Sequence, residues 1–310
     1  MNRISITRSA KIRLIIGLIL VIILIYFLNP SQIITTLLSV NFFYLILAIL
    51  VYALTLFVLS YRWKKNLIDM GIRLSYMEAY SAFVGGVLLS DVTPGRIGEL
   101  SRPLLIGKDN QGSKSIISVI LDRFIDIITI IPLGLIGILF FIPGEKGKLL
   151  WALSIPVCVI VVIIILWHSN ISLEKIIARM GFTGITNITQ KCSNAFASIT
   201  SPKKLVFRSV FLTIIAWCGH AIRLTIIAAA LGYSLQSFYL VFILPLISVL
   251  SLVPVTISGL GLVEGGLALV LSDMGIPLSA GLAIAFLDRA VTVFFHIVVG
   301  LPAMKKIVQI

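Results

Sequence analysis

The sequence predicts an all-α integral membrane protein, with about six transmembrane helices and two re-entrant helical hairpins arranged as an inverted repeat. Composition, the lengths of the apolar runs and the placement of Lys and Arg between them lead to that fold class. The 310 residues are 59% hydrophobic and 12% charged, with mean hydropathy +1.13, whereas soluble domains run at roughly 45–50% apolar and 25% charged. No soluble globule hides that much apolar surface. The net charge of +13 falls in short stretches between apolar runs instead of along one basic face. It therefore excludes a nucleic-acid footprint and reads as a topology signal.

Apolar runs at 13–29, 42–61, 116–142, 149–167, 206–231 and 278–302 reach or approach the roughly 20 residues that a hydrocarbon core requires. The first follows Arg3, Arg8, Lys11 and Arg13, the outline of a signal peptide. Tyr26, Leu28, Asn29 and Pro30 stand where cleavage needs small residues, so it is expected to remain as a helix. Two further stretches, 76–90 with its continuation to about 107 and 238–275, are broken by Gly and Pro.

Loop charges set the orientation. Arg62, Lys64, Lys65 and Arg73 precede the first broken stretch, and Arg96, Arg102, Lys108 and Lys114 follow it. Both flanks read as cytoplasmic, so this stretch enters and leaves from one side. The segment 168–205 carries Lys175, Arg179, Lys191, Lys203 and Lys204 and also reads as cytoplasmic, with an interfacial helix expected around Leu173 to Met180. Residues 232–237 carry no charge, and Lys305 and Lys306 return the C-terminus to the inside. The stretch 238–275 then forms a second hairpin from outside, and a multi-pass protein of the cell membrane with both termini cytoplasmic results.

An internal repeat accompanies this plan. Arg62, Gly71, Leu74, Val92-Thr93, Glu99 and Leu121-Asp122-Arg123 recur in the same order as Arg223, Gly232, Leu235, Val255-Thr256, Glu264 and Leu287-Asp288-Arg289, roughly 160 residues later. Repeat A covers about 42–145 and repeat B about 206–305, within a single membrane domain spanning 1–310. The charge-derived topology runs them in opposite directions, and paired broken helices in inverted repeats point to a transporter with its site between the halves.

Three groups of residues carry candidate chemistry. In Pro94-Gly95-Arg96-Ile97-Gly98-Glu99-Leu100-Ser101-Arg102-Pro103, Pro94 and Gly95 break the helix and Gly98 allows close backbone approach. Freed amides beside Arg96 and Arg102 suit an anionic group such as phosphate. The plainer reading is a cytoplasmic turn whose arginines meet anionic headgroups. The echo, Pro254-Val255-Thr256-Ile257-Ser258-Gly259-Leu260-Gly261-Leu262-Val263-Glu264, reads either as tight small-residue packing or as a site. Glu264, an acid in apolar surroundings, favours the site. The third group is Asp122, Arg123 and Asp126 on one helix with Asp288 and Arg289 on another. Each unpaired charge at bilayer centre costs about 2.5–3.5 kcal/mol, so these residues pair with one another or face water and substrate. A purely structural ion network and a substrate-binding set both fit.

His168, His220 and His296 are scattered, and Cys158, Cys192 and Cys218 lack ligand or redox spacing, so no metal, disulfide or cofactor is expected. No nucleophile motif, Walker loop or dinucleotide fingerprint occurs. The expectation is a protein that is not an enzyme and has no catalytic residue.

On these motifs, Pro94-Gly95-Arg96-x-Gly98-Glu99-x-x-Arg102-Pro103, Arg123-x-x-Asp126 and Gly259-x-Gly261-x-x-Glu264, the chain resembles the lysylphosphatidylglycerol synthase transmembrane-domain family, also described as flippase-like, over almost its whole length. Asp122 stands where that family often has Glu, and Ser258-Gly259 where it often has paired glycines. The resemblance implies movement of lipids or lipid-linked precursors between leaflets, in some members beside an attached synthase or glycosyltransferase.

The expected function is therefore translocation of a lipid headgroup, from an anionic phospholipid or a polyprenyl-linked precursor, along a polar path between the halves. Arg96 and Arg102 would hold a phosphate. Glu99 and Glu264 would contact the headgroup or carry a proton. Asp122, Arg123, Asp126, Asp288 and Arg289 complete the candidate substrate-binding set, and Pro94, Gly95, Gly98, Pro254, Gly259 and Gly261 shape the hairpins. The alternatives are a membrane subunit presenting lipid to a separate transferase, and a scaffold whose charges only hold helices together.

Overall fold

The computed structural model describes residues 8–27, 31, 35, 37–93, 95–106, 112–141, 202–253 and 255–308. The expected span at 149–167, most of the segment 168–205 and the motif prolines Pro94 and Pro254 lie outside the described residues. Helices dominate: α1 (Arg8–Phe27), α2 (Phe42–Asp69), α3 (Tyr76–Asp91), α4 (Ser113–Phe141), α5 (Pro202–Ala230), α6 (Ser237–Val249), α7 (Leu262–Asp273) and α8 (Leu278–Val308). Short 3-10 helices occupy Ile97–Leu104 and Leu250–Leu252.

Where six spans are expected, three helices among the described residues are long and apolar enough to cross a membrane: Phe42–Asp69, Pro202–Ala230 and Leu278–Pro302. Helix α1 includes the shorter apolar helix Ile15–Leu24 among the described residues, and α4 runs 29 residues with Asp122, Arg123 and Asp126 in its first half.

The packing is inside-out relative to a soluble protein. On α2, Leu54 is 66% exposed and Arg62 fully buried. Ile46, Leu50, Leu54 and Phe57 form an exposed stripe at helical spacing, while Tyr52, Thr55, Arg62 and Asn66 turn inward. On α5, Phe207 and Phe211 face outward, and Ser209, Thr213 and Arg223 are buried. Apolar side chains outside and hydrogen-bonded polar ones inside suit hydrocarbon as the solvent.

Helices α2 and α5 lie antiparallel. At one end the Asn41 amide donates to the Ala230 carbonyl (3.0 Å); at the other, Arg208 donates to Asp69 (2.9 Å) and Ser209 to Asn66 (2.9 Å). Midway, Gly219 brings the backbones so close that an added methyl would collide with the Thr55 side chain. Small residues at such crossings are the membrane route to tight packing. Both helices end alike, with Gly71 (φ 85°) and Gly232 (φ 81°) in left-handed turns that only glycine adopts freely. Ile72 N–H then returns to Leu67 and Tyr233 N–H to Ala228, so the recurring glycines of the sequence are matching helix caps.

Both broken stretches fold as helix, break, helix. Ser75 caps α3 by accepting from Glu78 N–H (3.2 Å). With 16 residues in α3 and 13 in α6, these helices rise ~24 and ~20 Å, short of a ~30 Å hydrocarbon core. The broken stretches pack on helices distant in sequence. Helix α3 packs on α8, where Gly300 abuts Leu88 and Val84, and α6 packs on α4, where Gly137 abuts Phe242. Each half thereby depends on the other for a wall of its core. Helix α1 lies against the second hairpin, Gly17 facing Leu260.

Candidate functional site

The charges of the first half form one closed cluster. On α4, Asp122 and Asp126 share a face at i, i+4 spacing. Arg62 of α2 reaches that face, with Nη2 2.7 Å from Asp122 and Nη1 2.5 Å from Asp126. Arg62 also donates to the Thr213 hydroxyl of α5 (2.5 Å). Arg102 donates to Asp122 (2.9 Å) and pairs with Glu99. Its guanidinium carbon lies 3.9 Å from the Phe83 ring centroid, and Gly86 leaves room for its stem. Arg123 bridges Glu99 (2.7 Å) and Asp126 (2.9 Å). Arg62, Arg102 and Arg123 thus oppose Glu99, Asp122 and Asp126, three against three. Gly98 holds the 3-10 helix against the α3 backbone, its α-carbon facing the peptide between Leu89 and Ser90 with no space for a side chain.

The second half repeats the arrangement in smaller form. Arg223 binds Asp288 through two hydrogen bonds of 2.8 and 2.9 Å. Arg289 pairs with Glu264 and donates to the Ser258 carbonyl (3.2 Å). Glu264 also accepts from Gly261 N–H (2.7 Å), so its side chain caps the start of α7, where the glycine N-cap has no side chain to offer. Arg62–Asp122 corresponds to Arg223–Asp288, and Glu99–Arg123 to Glu264–Arg289, so the recurring residues are two ion pairs built twice. Asp288 is the neighbour of Arg289 in sequence but is held by Arg223, and Arg289 pairs instead with Glu264.

The two breaks also share a backbone shape. Gly95 (φ 62°) and Arg96 (φ 56°) are consecutive left-handed residues, as are Ser258 (φ 50°) and Gly259 (φ 71°). A non-glycine residue held there carries strain of order 1–3 kcal/mol, a feature that clusters at functional sites. The Arg96 side chain makes no hydrogen bond or ion pair among the described residues. Close by, His296 of α8 lies 2.6 Å from Asp91 and 2.5 Å from the Tyr52 hydroxyl.

These groups surround one cavity of about 500 Å³, a size suited to a small ligand or headgroup. Both halves supply its walls. Arg96, Glu99, Arg102, Arg123, Asp126, Glu264, Asp288 and Arg289 all line it. Asp122 sits behind the wall, fully buried, and positions Arg62 and Arg102. Gly95 and Ser258 both line the cavity, so the two breaks meet in one space. Arg102, expected to hold a phosphate, is fully buried and spans Glu99 and Asp122, whereas Arg96 makes no hydrogen bond or ion pair among the described residues.

Tyr52, Asp91, His220 and His296 also line the cavity; sequence reasoning passes over Tyr52, gives no role to Asp91 at the start of the first break, and reads the two histidines only as scattered. None has a spacing signal, because helix packing alone assembles them. Arg62 and Arg223 were legible as recurring letters but not as wall residues. Among the described residues, no three of His, Cys, Asp and Glu converge as metal ligands.

A family model described as "Lysylphosphatidylglycerol synthase TM region" matches residues 12–300. A UPF0104 membrane protein of Pyrococcus horikoshii is similar at 23% identity, covering 93% of this chain and 94% of its own. A UPF0104 membrane protein of Methanocaldococcus jannaschii is 26% identical, with 98% and 96% covered. No solved structure matches the chain. With the match running through every helix that builds the cavity, the chain belongs to the lysylphosphatidylglycerol synthase transmembrane-region family.

Proposed function

We propose that this chain, without being an enzyme, moves the headgroup of a membrane lipid between leaflets through the cavity between its halves. The observation that carries the reading is a charged cavity walled by both broken hairpins, in which Arg96 is a cation with no partner of its own among the described residues. A phosphate entering there gains a charge-assisted contact, while neighbouring carboxylates and hydroxyls suit an amine or hydroxyl-rich remainder. The acyl chains would stay outside against the exposed apolar stripes.

The antiparallel pair α2 and α5, the duplicated ion pairs and the tandem left-handed breaks support an inverted repeat with cytoplasmic termini and about six spans. Rocking of one half against the other would expose the cavity to each side in turn. With no ATP-binding motif in the sequence, the movement would run downhill or on a gradient. The substrate classes that fit are an anionic phospholipid and a polyprenyl-linked precursor. The family's description names a synthase, and that favours a second reading in which the same cavity presents lipid to a separate membrane transferase.

Proteoliposomes carrying fluorescent phosphatidylglycerol test the first reading. Dithionite should bleach beyond the outer-leaflet half of the probe when wild-type protein is present, and stop at half with Arg96→Gln. Bleaching that stops at half with folded wild-type protein defeats the proposal.

A further inference from the structure

Outside the two balanced clusters, the cavity wall keeps two charges without an opposite charge in contact among the described residues. One is Arg96. The other is Asp91, at the end of α3, which meets only an imidazole there. A carboxylate only accepts, so His296 Nδ1–H donates to Asp91 Oδ2 across 2.6 Å. In the neutral ring Nε2 accepts from the Tyr52 hydroxyl across 2.5 Å. An added proton makes Nε2–H the donor to Tyr52 Oη, and the hydroxyl hydrogen turns away. Both ring nitrogens are thus hydrogen-bonded in either protonation state of the ring.

The groups facing this imidazole come from four directions. Helix α2 gives Tyr52. The end of α3 with the break that follows it gives Asp91 and Arg96. Helix α5 gives Arg223, whose guanidinium carbon lies 4.7 Å from the Tyr52 ring centroid, and His220, 3.2 Å from Arg223. Its own helix gives Asp288, which neutralises Arg223.

We propose that His296 is the proton site of this transporter, and that one proton enters the cavity with one singly charged phosphodiester headgroup. With the imidazole neutral, Asp91 and Arg96 offset each other and the wall sums to zero. With the imidazole protonated, Asp91 is matched by the imidazolium and Arg96 becomes the single uncompensated charge. One surplus positive charge suits a phosphodiester; a diphosphate, carrying at least two negative charges, would leave charge unmatched. The proposal rests on the reading that the cavity accepts a lipid headgroup.

Quenching of tryptophan fluorescence by glycerophosphoglycerol, a soluble phosphodiester, reads binding directly, since Trp217 lines the cavity. Uptake of one proton per anion makes affinity fall about tenfold per pH unit on the alkaline side of the imidazole titration. Two variants pull in opposite directions. Asp91→Asn should bind tightly at every pH, because Arg96 is then always uncompensated. His296→Gln should bind weakly at every pH, because Asp91 always offsets Arg96. Affinity that is flat with pH in the wild type, or Asp91→Asn binding as weakly as His296→Gln, overturns the proton site. Two flux measurements in proteoliposomes separate it from the lipid reading. Movement of fluorescent phosphatidylglycerol that rises as pH falls supports both. The same movement with no pH slope removes the proton site and leaves the lipid reading standing. A pH-dependent uptake of labelled glycerophosphoglycerol, with no lipid movement, keeps the proton site and removes the lipid.

Discussion

Asp122→Ala should destabilise the protein severely, and a second change that removes a cation should restore part of the loss. Asp122 is fully buried and holds Arg62 at 2.7 Å and Arg102 at 2.9 Å. Breaking a buried ion pair by removing one partner costs about 3–5 kcal/mol, because the other charge is left uncompensated. Two pairs break here, yet Arg62 keeps Asp126 and Arg102 keeps Glu99. The expected loss is therefore that of one pair, about 3–5 kcal/mol, and not of two. At roughly 2–4 °C per kcal/mol, the melting temperature in detergent should fall on the order of 10 °C. In Asp122→Ala with Arg62→Met, Arg102 and Arg123 face Glu99 and Asp126, two against two, so the double variant should melt above the single one. Fluorescence-detected size exclusion after heating measures both. A double variant that melts at or below the single one would show that charge balance is not what holds the cluster.

Three further outcomes are expected. Gly219→Ala should cost roughly 1–3 kcal/mol by overpacking against Thr55, and Thr55→Ala in the same chain should recover most of it; a thermal melt reads both. Arg289→Ala should harm folding more than Arg289→Ala with Glu264→Gln, since the glutamine side chain still caps α7 and leaves no stranded charge, and strictly additive losses in a double-mutant cycle would remove the pair. In a cysteine-free background, cysteines at Arg73 and Ser234, equivalent positions after the two glycine caps, should label from opposite membrane faces with an impermeant reagent, and labelling from one face would contradict the inverted arrangement.

What the sequence made legible was whatever leaves a local trace. Glycine and proline inside apolar runs marked both breaks, and Asp122, Arg123 and Asp126 inside an apolar run marked a buried network. Their partners left no such trace. Arg62 reaches Asp122 from another helix, and only its recurrence as Arg223 hinted at a role. Arg102 stands in a motif that reads as a phosphate site, but Phe83, Glu99 and Asp122 enclose it, and two of these lie outside the motif. His296 is a lone histidine on an apolar helix, which ordinarily signals nothing. It gains meaning only when α2 and α3 bring Tyr52 and Asp91 against it. Arg289 shows the reverse difficulty, since its nearest acid in sequence, Asp288, points to another arginine.

The central claim is that a lipid headgroup crosses through the space where the two breaks meet, which requires the hairpins to part. A methyl added at Gly95 would lie 3.5 Å from the Leu252 carbonyl oxygen, so cysteines at Gly95 and Leu252 can be joined across the breaks by a short, reducible bis-thiosulfonate reagent. Flux of fluorescent phosphatidylglycerol should fall to that of empty liposomes when the link is complete, and return when dithiothreitol cuts it in the same vesicles. Undiminished flux through fully linked protein would place the lipid path elsewhere and contradict the account.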